Sequence, residues 1–341
     1  MIRAYRFLLR PTVRQEQALQ EMLADHRSLY NGALQERRDA YRHASKSTIR
    51  YDSVMFPKNG DGCRWGSAPH DRQTRVRLQG VGHVRVHQHR PVQGRVRTIT
   101  VKREGRRWYV ILACDNVPAE ELPPTDSIVG IDMGIVYFLT TSNGEHVANP
   151  RFLDAVAKEL AEAQRHLATF PKRSRQRTKK HRAAVRKVAK LHARIRRQRL
   201  DFHHKTARAL VDDHGLIAHE RLNTAGMTKA PTPRAAPASP RSFLPNGAAA
   251  KAGLNRSILD AGWTQFLGIL ADKAESAGRL TIPVDARNTS RTCPDCGHAA
   301  KENRVTQAKF QCTACGYTAN ADHVGATNIL NRAGLALCDV A

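Results

Sequence analysis

The distribution of apolar residues predicts an N-terminal unit built from short strands and one long helix. Ile2 to Leu9 has the composition of a strand. Thr12 and Gln15 form a capping box, after which apolar residues recur at helical spacing as far as about Arg42. Four short runs between residues 74 and 114 are separated by glycines: TRVRLQ, HVRVHQ, RVRTITVK and RWYVILAC. These runs predict a small antiparallel sheet or barrel, and with the first strand and the helix we expect an N-terminal β-barrel over residues 1–122 with a helical insertion at about 12–50.

A change of pattern after Pro123-Pro124 predicts a second, α/β unit. A buried strand containing Asp132 is followed by IVYFLTT and by an Asn143-Gly144 dipeptide, which favours a type I′ hairpin turn. Residues 151–212 predict two long helices. The later predicted elements are, in order, a buried strand at 216–222, a flexible Ala/Pro-rich loop at 227–250, a helix through Trp263 and Phe266, a strand at 280–284 and a closing helix from about Ala321.

Length and charge then restrict the possible partners. The chain has 341 residues, enough for about two domains, and carries 56 Lys and Arg against 30 Asp and Glu, a formal net charge of +26. A protein this basic is expected to accompany a polyanion, and nucleic acid is the expected partner. No apolar window approaches the roughly 18 residues of a spanning helix, and the N-terminus lacks the apolar core of a signal peptide. We expect no membrane partner and a cytoplasmic location.

The positive charge is concentrated in two segments. Residues 172–200 contain 14 Lys or Arg and no acid, and residues 71–108 contain 11 cations and two acids. Charge runs usually form a solvated helix face, but a run this long without acids favours contact with phosphates. Trp108, which ends the second segment, and Tyr109, which follows it, are expected in the core of the barrel rather than as platforms on which bases stack.

Four of the seven cysteines fall in two Cys-x-x-Cys pairs, each followed by glycine. They are Cys293, Cys296, Cys312 and Cys315. Two such turns can supply four thiolates to one tetrahedral zinc ion with no position left for substrate, which is typical of a structural site. The alternative, a pair of redox-active motifs, lacks a thioredoxin-like context. His298, close to the first pair, is expected at the surface rather than as a ligand.

Three carboxylates are candidates for a catalytic centre. Asp132 and Glu220 lie within apolar runs, where an unpaired charge is costly, and Asp322 lies at the start of the closing helix. Carboxylates from three distant segments could hold two Mg²⁺ ions about 4 Å apart for attack on a phosphodiester. The residues alone leave an equally good alternative, in which Asp132 caps a turn, Glu220 pairs with Arg221 and Asp322 is a helix N-cap.

Several motifs, taken in order, resemble the TnpB family, transposon-encoded nucleases similar to the type V CRISPR effectors. The resemblance extends from about position 1 to 332 and is carried by RAYRFLLRPTVRQ at 3–15, GIDMGI around Asp132, the basic helical hairpin ending in QRLDFHHKTARALV, IAHERLN around Glu220, LDAGWTQFLGILADKAESAG, NTSRTCPDCGH, and FQCTACGYTANADHVGATNIL around Asp322. It implies a RuvC-like domain with an RNase H fold at 123–292 and 317–341, interrupted by a zinc ribbon at 293–316.

The resemblance also implies an activity and partners. TnpB-like proteins cut DNA chosen by a bound guide RNA, so this chain is expected to be a bacterial, nucleoid-associated endonuclease that binds guide RNA from the transposon end together with double- and single-stranded target DNA. Carried over by motif, Asp132, Glu220 and Asp322 are the catalytic Mg²⁺ ligands. The N-terminal barrel and its helix are expected to bind the target-adjacent duplex and the guide.

Three departures from the family pattern bear on this expectation. The final motif usually has Asp-Arg-Asp-x-Asn-Ala-Ala, whereas Asn320 to Ala326 is Asn-Ala-Asp-His-Val-Gly-Ala. Arg221 follows Glu220 where the family often has Asp or Asn, and the recognition region is shortened near Arg50. A non-cleaving nucleic-acid-binding regulator or decayed copy, and a DNA strand-transferase, therefore remain alternatives, and no oligomeric state follows from the motifs.

Overall fold

A computed structural model describes residues 1–42, 63–66, 74–171, 178–236 and 239–338. The chain divides into two compact units, Met1–Pro118 and Ala119–Ala341. The shortened region near Arg50 and the end of the predicted insertion lie outside the described residues. None of the described helices is long and apolar enough to cross a membrane.

The N-terminal unit is a six-stranded antiparallel sheet with one helix. Its elements are β1 (Arg3–Arg10), α1 (Val13–Arg42), β2 (Cys63–Trp65), β3 (Arg75–Leu78), β4 (Gly82–His87), β5 (Arg95–Glu104) and β6 (Arg107–Asp115). The strand order is β2-β3-β4-β1-β6-β5. The two edge strands, β2 and β5, line one cleft of about 420 Å³.

Local sequence signals account for much of this unit. The capping box is present, because the Gln15 N–H donates to Thr12 Oγ1 (3.3 Å) and the Thr12 N–H donates to Gln15 Oε1 (3.1 Å). Alternate residues of β6, from Trp108 to Cys114, are buried. Trp108 therefore lies in the core, as expected, whereas Tyr109 is half-buried beneath the guanidinium of Arg6.

The second unit contains a five-stranded mixed sheet between helical layers. Its elements are β7 (Ile128–Met133), β8 (Tyr137–Thr141), β9 (His146–Ala148), α2 (Phe152–Ala155), α3 (Ala157–Ala168), α4 (Lys179–Asp213), β10 (Leu216–Glu220), α5 (Thr224–Met227), β11 (Arg234–Ala236), β12 (Ser239–Leu244), α6 (Ala248–Ala261), α7 (Trp263–Ala277), β13 (Leu280–Val284), a short 3₁₀ helix (Lys301–Asn303), β14 (Lys309–Gln311), β15 (Thr318–Asn320) and α8 (Ala321–Cys338).

The order of the sheet, β13-β10-β7-β8-β9, places β7 at its centre. β10 pairs in parallel with both β7 and β13, while β7, β8 and β9 are antiparallel. One face packs on α4, α6 and α7 through residues such as Ile131, Phe138 and Phe266. The other carries α8, which approaches β7 so closely that a Cβ on Gly130 would lie 2.2 Å from the Ala326 carbonyl oxygen.

The β8–β9 hairpin forms, but its turn differs from the prediction. A type I′ turn needs positive φ at both central residues. Here Gly144 has a φ of 85°, whereas Asn143 is not in the left-handed region. The loop is longer: the Gly144 N–H donates to the Thr141 oxygen (3.0 Å), which makes Ser142 and Asn143 the central residues.

The Ala/Pro-rich segment predicted as a flexible loop at 227–250 contains an antiparallel strand pair. β11 and β12 run from Arg234↔Leu244 to Ala236↔Ser239, with a register shift after Ala235. α6 begins within the predicted loop, at Ala248. Proline is tolerated here because both strands of a two-stranded sheet are edge strands. The missing N–H of Pro240 therefore does not interrupt the hydrogen bonds of an inner strand.

Candidate active site

The four cysteines of the two Cys-x-x-Cys pairs lie together. In the part of the chain that the structure describes, they are the only group of three or more candidate ligands whose ligand atoms lie within 4.8 Å of one another. Cys293 and Cys312 are buried, while Cys296 and Cys315 are exposed. The Sγ atoms of Cys293 and Cys315 are 3.6 Å apart, as are those of Cys296 and Cys312. This cluster could hold a metal ion such as zinc.

The two turns that carry the cysteines have the same backbone geometry. Gly297 and Gly316, each following a second cysteine, have φ values of 75° and 77°, a conformation that favours glycine. Each glycine N–H donates at 3.0 Å to the carbonyl of the first cysteine of its pair. A hydrogen bond from the backbone N–H of Cys315 lowers the pKa of the Cys312 thiol to about 6, which favours the thiolate form that a metal needs. His298 is exposed, as expected.

The cysteine turns are braced by a buried amide. Asn303 is fully buried, and its Nδ2 donates at 3.0 Å to the carbonyls of Arg291 and His298. Its Oδ1 accepts from the backbone N–H and the hydroxyl of Thr313, also at 3.0 Å. Phe310 then packs with the buried cysteines and with Val324 of α8. The insert is therefore joined directly to the helix that carries Asp322.

The three candidate carboxylates are brought to one region of the second unit. Asp132 lies in β7, Glu220 is the last residue of β10, and Asp322 lies in the first turn of α8. The pKa of Asp132 is raised well above its usual range, mainly by burial and then by the negative charges of Glu220 and Asp322. Asp132 therefore lies close enough to Glu220 and Asp322 for both negative charges to act on it.

Glu220 is held by Thr289 rather than by Arg221. The buried Thr289 hydroxyl donates to Glu220 Oε1 at 3.1 Å. Burial raises the pKa of Glu220, while the hydrogen bond from Thr289 and the charge of Arg332 act in the opposite direction. Arg221 is exposed, and no ion pair joins it to Glu220 among the described residues. The alternative in which Glu220 serves to pair with Arg221 is therefore wrong.

Asp322 is not the N-cap of α8. Asn320 performs that role, because its Oδ1 accepts from the backbone N–H groups of Asp322 (2.9 Å) and His323 (3.3 Å). The Asp322 carboxylate is free to point elsewhere. A Cβ on Gly325, one turn further along α8, would lie 2.8 Å from Asp132 Oδ2, so the helix backbone adjoins the Asp132 carboxylate.

Arg304 is a member of this site that the sequence analysis missed. It follows the 3₁₀ helix between the two cysteine pairs, and its Nη2 lies 3.5 Å from Asp322 Oδ1. The same cation partly opposes the upward shift in the pKa of Asp132. One sequence signal points to such a residue. Ala321 occupies the position where the TnpB motif usually has arginine, which indicates that another segment could supply the cation.

The described part of the basic run at 172–200 lies on α4, which packs on α3. The first four cations of the run, at 172–177, lie outside the described residues. Leu191 and Ile195 of α4 pack on Leu160 and Ala163 of α3, and the described Lys and Arg side chains before Arg199 are exposed. Arg199 instead pairs with Asp260. The first part of α4 therefore packs on α3 through an apolar side and exposes the cations of the run.

Comparison with known proteins gives matches along most of the chain. Family models match at residues 99–230 ("Probable transposase", OrfB_IS605), 263–329 ("Cas12f1-like, TNB domain") and 1–46 ("Helix-turn-helix domain"). Within residues 1–42, the structure has one strand followed by one helix.

Curated relatives include the "Putative RNA-guided DNA endonuclease InsQ" of Escherichia coli, which is 32% identical over 314 residues, 92% of this chain and 73% of that protein. A "Putative RNA-guided DNA endonuclease" of Streptomyces pristinaespiralis is 35% identical over 70% of this chain, which spans about half (53%) of that relative. A cryo-EM structure of a Cas12f1–sgRNA–target DNA complex aligns with a TM-score of 0.40 at 19% identity, covering 79% of this chain and 65% of that one.

Proposed function

The chain belongs to the TnpB, or IS605 OrfB, family, and on that basis we propose that it is an RNA-guided DNA endonuclease that hydrolyses phosphodiester bonds. The observation that carries the proposal is the grouping of Asp132, Glu220 and Asp322 in the second unit, where two of them raise the pKa of the third. Three carboxylates kept close together at the cost of repulsion are explained by a cationic ligand.

The carboxylates fit magnesium by the chemistry of their donor atoms. Mg²⁺ is a hard cation that takes oxygen ligands, and it is usually bound through one or two carboxylates together with water and substrate phosphates. Burial and like charge raise the pKa of Asp132, and a bound divalent cation would offset both effects. Asp132, Glu220 and Asp322 would hold the two ions of the expected site, which would supply an activated water and stabilise the leaving oxygen of the phosphodiester.

The protein's own contribution is to orient the carboxylates. Thr289 fixes one oxygen of Glu220, and the Asn320 cap fixes the first turn of α8, where Asp322 lies. Arg304 offers a guanidinium beside Asp322, where it can contact a phosphate oxygen of the bound strand. We assign it to phosphate binding and to partly offsetting the effects that raise the pKa of Asp132.

The cysteine cluster is assigned to structural zinc. Four thiols in two matched turns leave no open position for a substrate. Through Phe310 and Val324 the insert packs on α8, and through Arg304 it reaches the carboxylates. The metal would thus support the catalytic centre without taking part in its chemistry.

The two units fit the RuvC-like domain and the N-terminal barrel that the TnpB resemblance implies. The second unit has a mixed sheet between helices, with a cysteine insert between its last strand and its closing helix. In the first unit, the edge strands β2 and β5 line one cleft, as in a nearly closed barrel. The exposed cations in the first part of α4 are assigned to the backbone of guide RNA or DNA.

The proposal is tested by expressing the full chain with its native flanking DNA. Sequencing of the RNA that copurifies should reveal one discrete species, and a target library matched to that RNA should be cut only with Mg²⁺ present. Asp132→Ala should abolish cutting and leave the RNA bound. Asp201→Ala, which removes an exposed carboxylate of α4, serves as the matched control and should cut normally. Absence of a discrete RNA would overturn the proposal that the chain is guided by RNA.

Strand transfer is a second candidate, because the family model over residues 99–230 is described as a probable transposase. Strand transfer and hydrolysis use the same metal-bound carboxylates but differ in the attacking hydroxyl. Incubation with labelled transposon ends distinguishes them. We expect cut ends and no joined products, whereas joined products that require Asp132 would favour transfer.

A further inference from the structure

A stacked pair of exposed rings lies on the outer strands of the five-stranded sheet. The rings of Tyr137 (β8) and His146 (β9) are 4.2 Å apart between centroids and inclined by 13°. Tyr137 is 37% exposed, and Val136 beside it is 52% exposed. His146 is exposed as well. Flat, solvent-facing aromatic surface of this kind is what an unpaired base stacks on.

The pair lies on the face of the sheet that bears Asp132. Asp132 pairs with Thr140 across β7 and β8, and Thr140 pairs with His146 across β8 and β9. Residues directly opposite in antiparallel strands point to the same face and have Cα atoms about 5 Å apart. Asp132, Thr140 and His146 therefore form one row, in which His146 is about 10 Å from Asp132.

Thr140 fixes the position of the His146 ring relative to the carboxylates. Thr140 is buried and lies between Asp132 and His146 in this row, and its Oγ1 is 2.9 Å from His146 Nδ1. At the nearby turn, the His323 ring of α8 lies against Gly144, where an added Cβ would be 3.2 Å from Nδ1. The stacked pair is thus held at a set distance from the catalytic centre.

We propose that Tyr137 and His146 form a stacking subsite for an unpaired base of the DNA strand whose phosphodiester is bound at Asp132. This rests on the proposed function, since it takes the scissile phosphate to be at the carboxylates. One strand of stacked DNA rises about 3.4 Å per nucleotide, so about 10 Å corresponds to a base within roughly three nucleotides of the cut. The occupant is single-stranded, because its base must be free to leave a duplex stack.

The experiment uses the full chain with its RNA in the Asp132→Ala background, so that no DNA is cut. The probe is a single-stranded oligonucleotide carrying one 2-aminopurine, whose fluorescence falls when it stacks. We expect quenching on binding. Tyr137→Ala and His146→Ala should each abolish the quenching and weaken binding by about tenfold, and Tyr137→Phe should restore both.

The matched control is Phe243→Ala, which removes an exposed ring from β12, outside the five-stranded sheet. It should quench and bind as the parent does. The inference would be overturned if Tyr137→Ala and His146→Ala both quenched and bound as the parent does, with melting temperatures equal to the parent's. The two rings would then be a cross-strand pair that stabilises the sheet edge.

Failure here is distinguishable from failure of the proposed function. The fluorescence measurement requires neither a matched target nor cutting. If the wild-type chain cuts a guided target but quenching is the same with and without the two rings, only the stacking subsite is contradicted. Ring-dependent quenching in a chain that never cuts would contradict the nuclease and retain the subsite.

Discussion

The cysteine cluster and the carboxylate centre are both candidate metal sites, but the chain assembles them differently. The four thiols come from residues 293–315, and two matched glycine turns bring them together. The three carboxylates come from positions 132, 220 and 322, and they meet only because β7, β10 and α8 are neighbours in the fold. A local site is thus formed by turn geometry, whereas a distant one depends on the whole unit.

The two sites also differ in how they hold charge without a metal. At the cysteines, backbone hydrogen bonds lower the pKa of Cys312 to about 6, whereas the pKa of Cys315 is raised to about 12, because its hydrogen bond with the Tyr317 backbone is outweighed by desolvation and the neighbouring thiols. One thiolate is therefore favoured there. At the carboxylates, burial and like charge oppose ionisation of Asp132. We therefore expect that losing a ligand destabilises the protein at the cysteines and stabilises it at the carboxylates.

The largest expected effect is that Cys312→Ser loses the proposed structural zinc. Structural zinc sites bind with about 10 kcal/mol or more, and this binding also stabilises the fold. Metal content measured by mass spectrometry should fall to zero and the melting temperature should drop. Cys63→Ser, which alters an exposed cysteine of the other unit, should change neither. Full zinc content in the Cys312 variant would contradict the four-thiolate site.

A second effect should follow from Arg304→Ala, which removes the cation that links the insert to the carboxylates. Because Arg304 lowers the pKa of Asp132, its loss raises that pKa further, and the half-maximal pH of Mg²⁺-dependent cutting should move upward. The rate at neutral pH should fall by about 10- to 100-fold. Arg304→Lys should retain most of the activity, and Arg291→Ala, which removes an exposed cation just before the insert, should be normal. An unchanged pH profile would remove Arg304 from the site.

A smaller effect is expected on the stability of the magnesium-free protein in Asp132→Asn. The pKa of Asp132 is higher in the folded than in the unfolded state, so the folded state binds more protons between the unfolded value, about 3.9, and the raised one. Stability should fall as pH rises through that window. The amide removes this loss, so the variant should melt higher above the window, with a flatter pH dependence.

Glu220 has a raised pKa for the same main reason, burial, so some pH dependence should remain in the Asp132→Asn variant. Thermal melts across the pH range, in buffer without magnesium and without chelator, measure both slopes. If the Asp132→Asn variant melts at a lower temperature than the wild type at pH values above that window, the ionised Asp132 carboxylate does not destabilise the folded protein. The contrast with the cysteines would then fail.

The smallest effect is expected for Asn320→Ala, which removes the cap of α8. Loss of an N-cap costs about 1 kcal/mol. Cutting should also slow, because the first turn of α8 carries Asp322. Asn246→Ala removes a similar contact, to the Ala248 N–H at the start of α6, and should lower stability without slowing the cut. Equal rates in the two variants would mean that the cap does not position Asp322.

The same contrast explains which features could be predicted from sequence. The cysteine spacing and the Thr12 capping box are local signals, and the structure contains both. The grouping of the carboxylates depends on strand order, which the residues alone left open. Arg304 could not be found by local spacing, because it reaches Asp322 through the fold of the insert. The turn at Gly144 was mispredicted because one extra loop residue shifts its central positions.

The central claim is that Asp132, Glu220 and Asp322 act together as one magnesium-dependent nuclease centre. It is tested most directly by measuring cleavage of a matched target by the RNA-bound chain and by its three single alanine variants at the same Mg²⁺ concentration. The account predicts that each variant retains its RNA and cuts at least about 10³-fold more slowly than the wild type. Wild-type cutting by any of the three would contradict it.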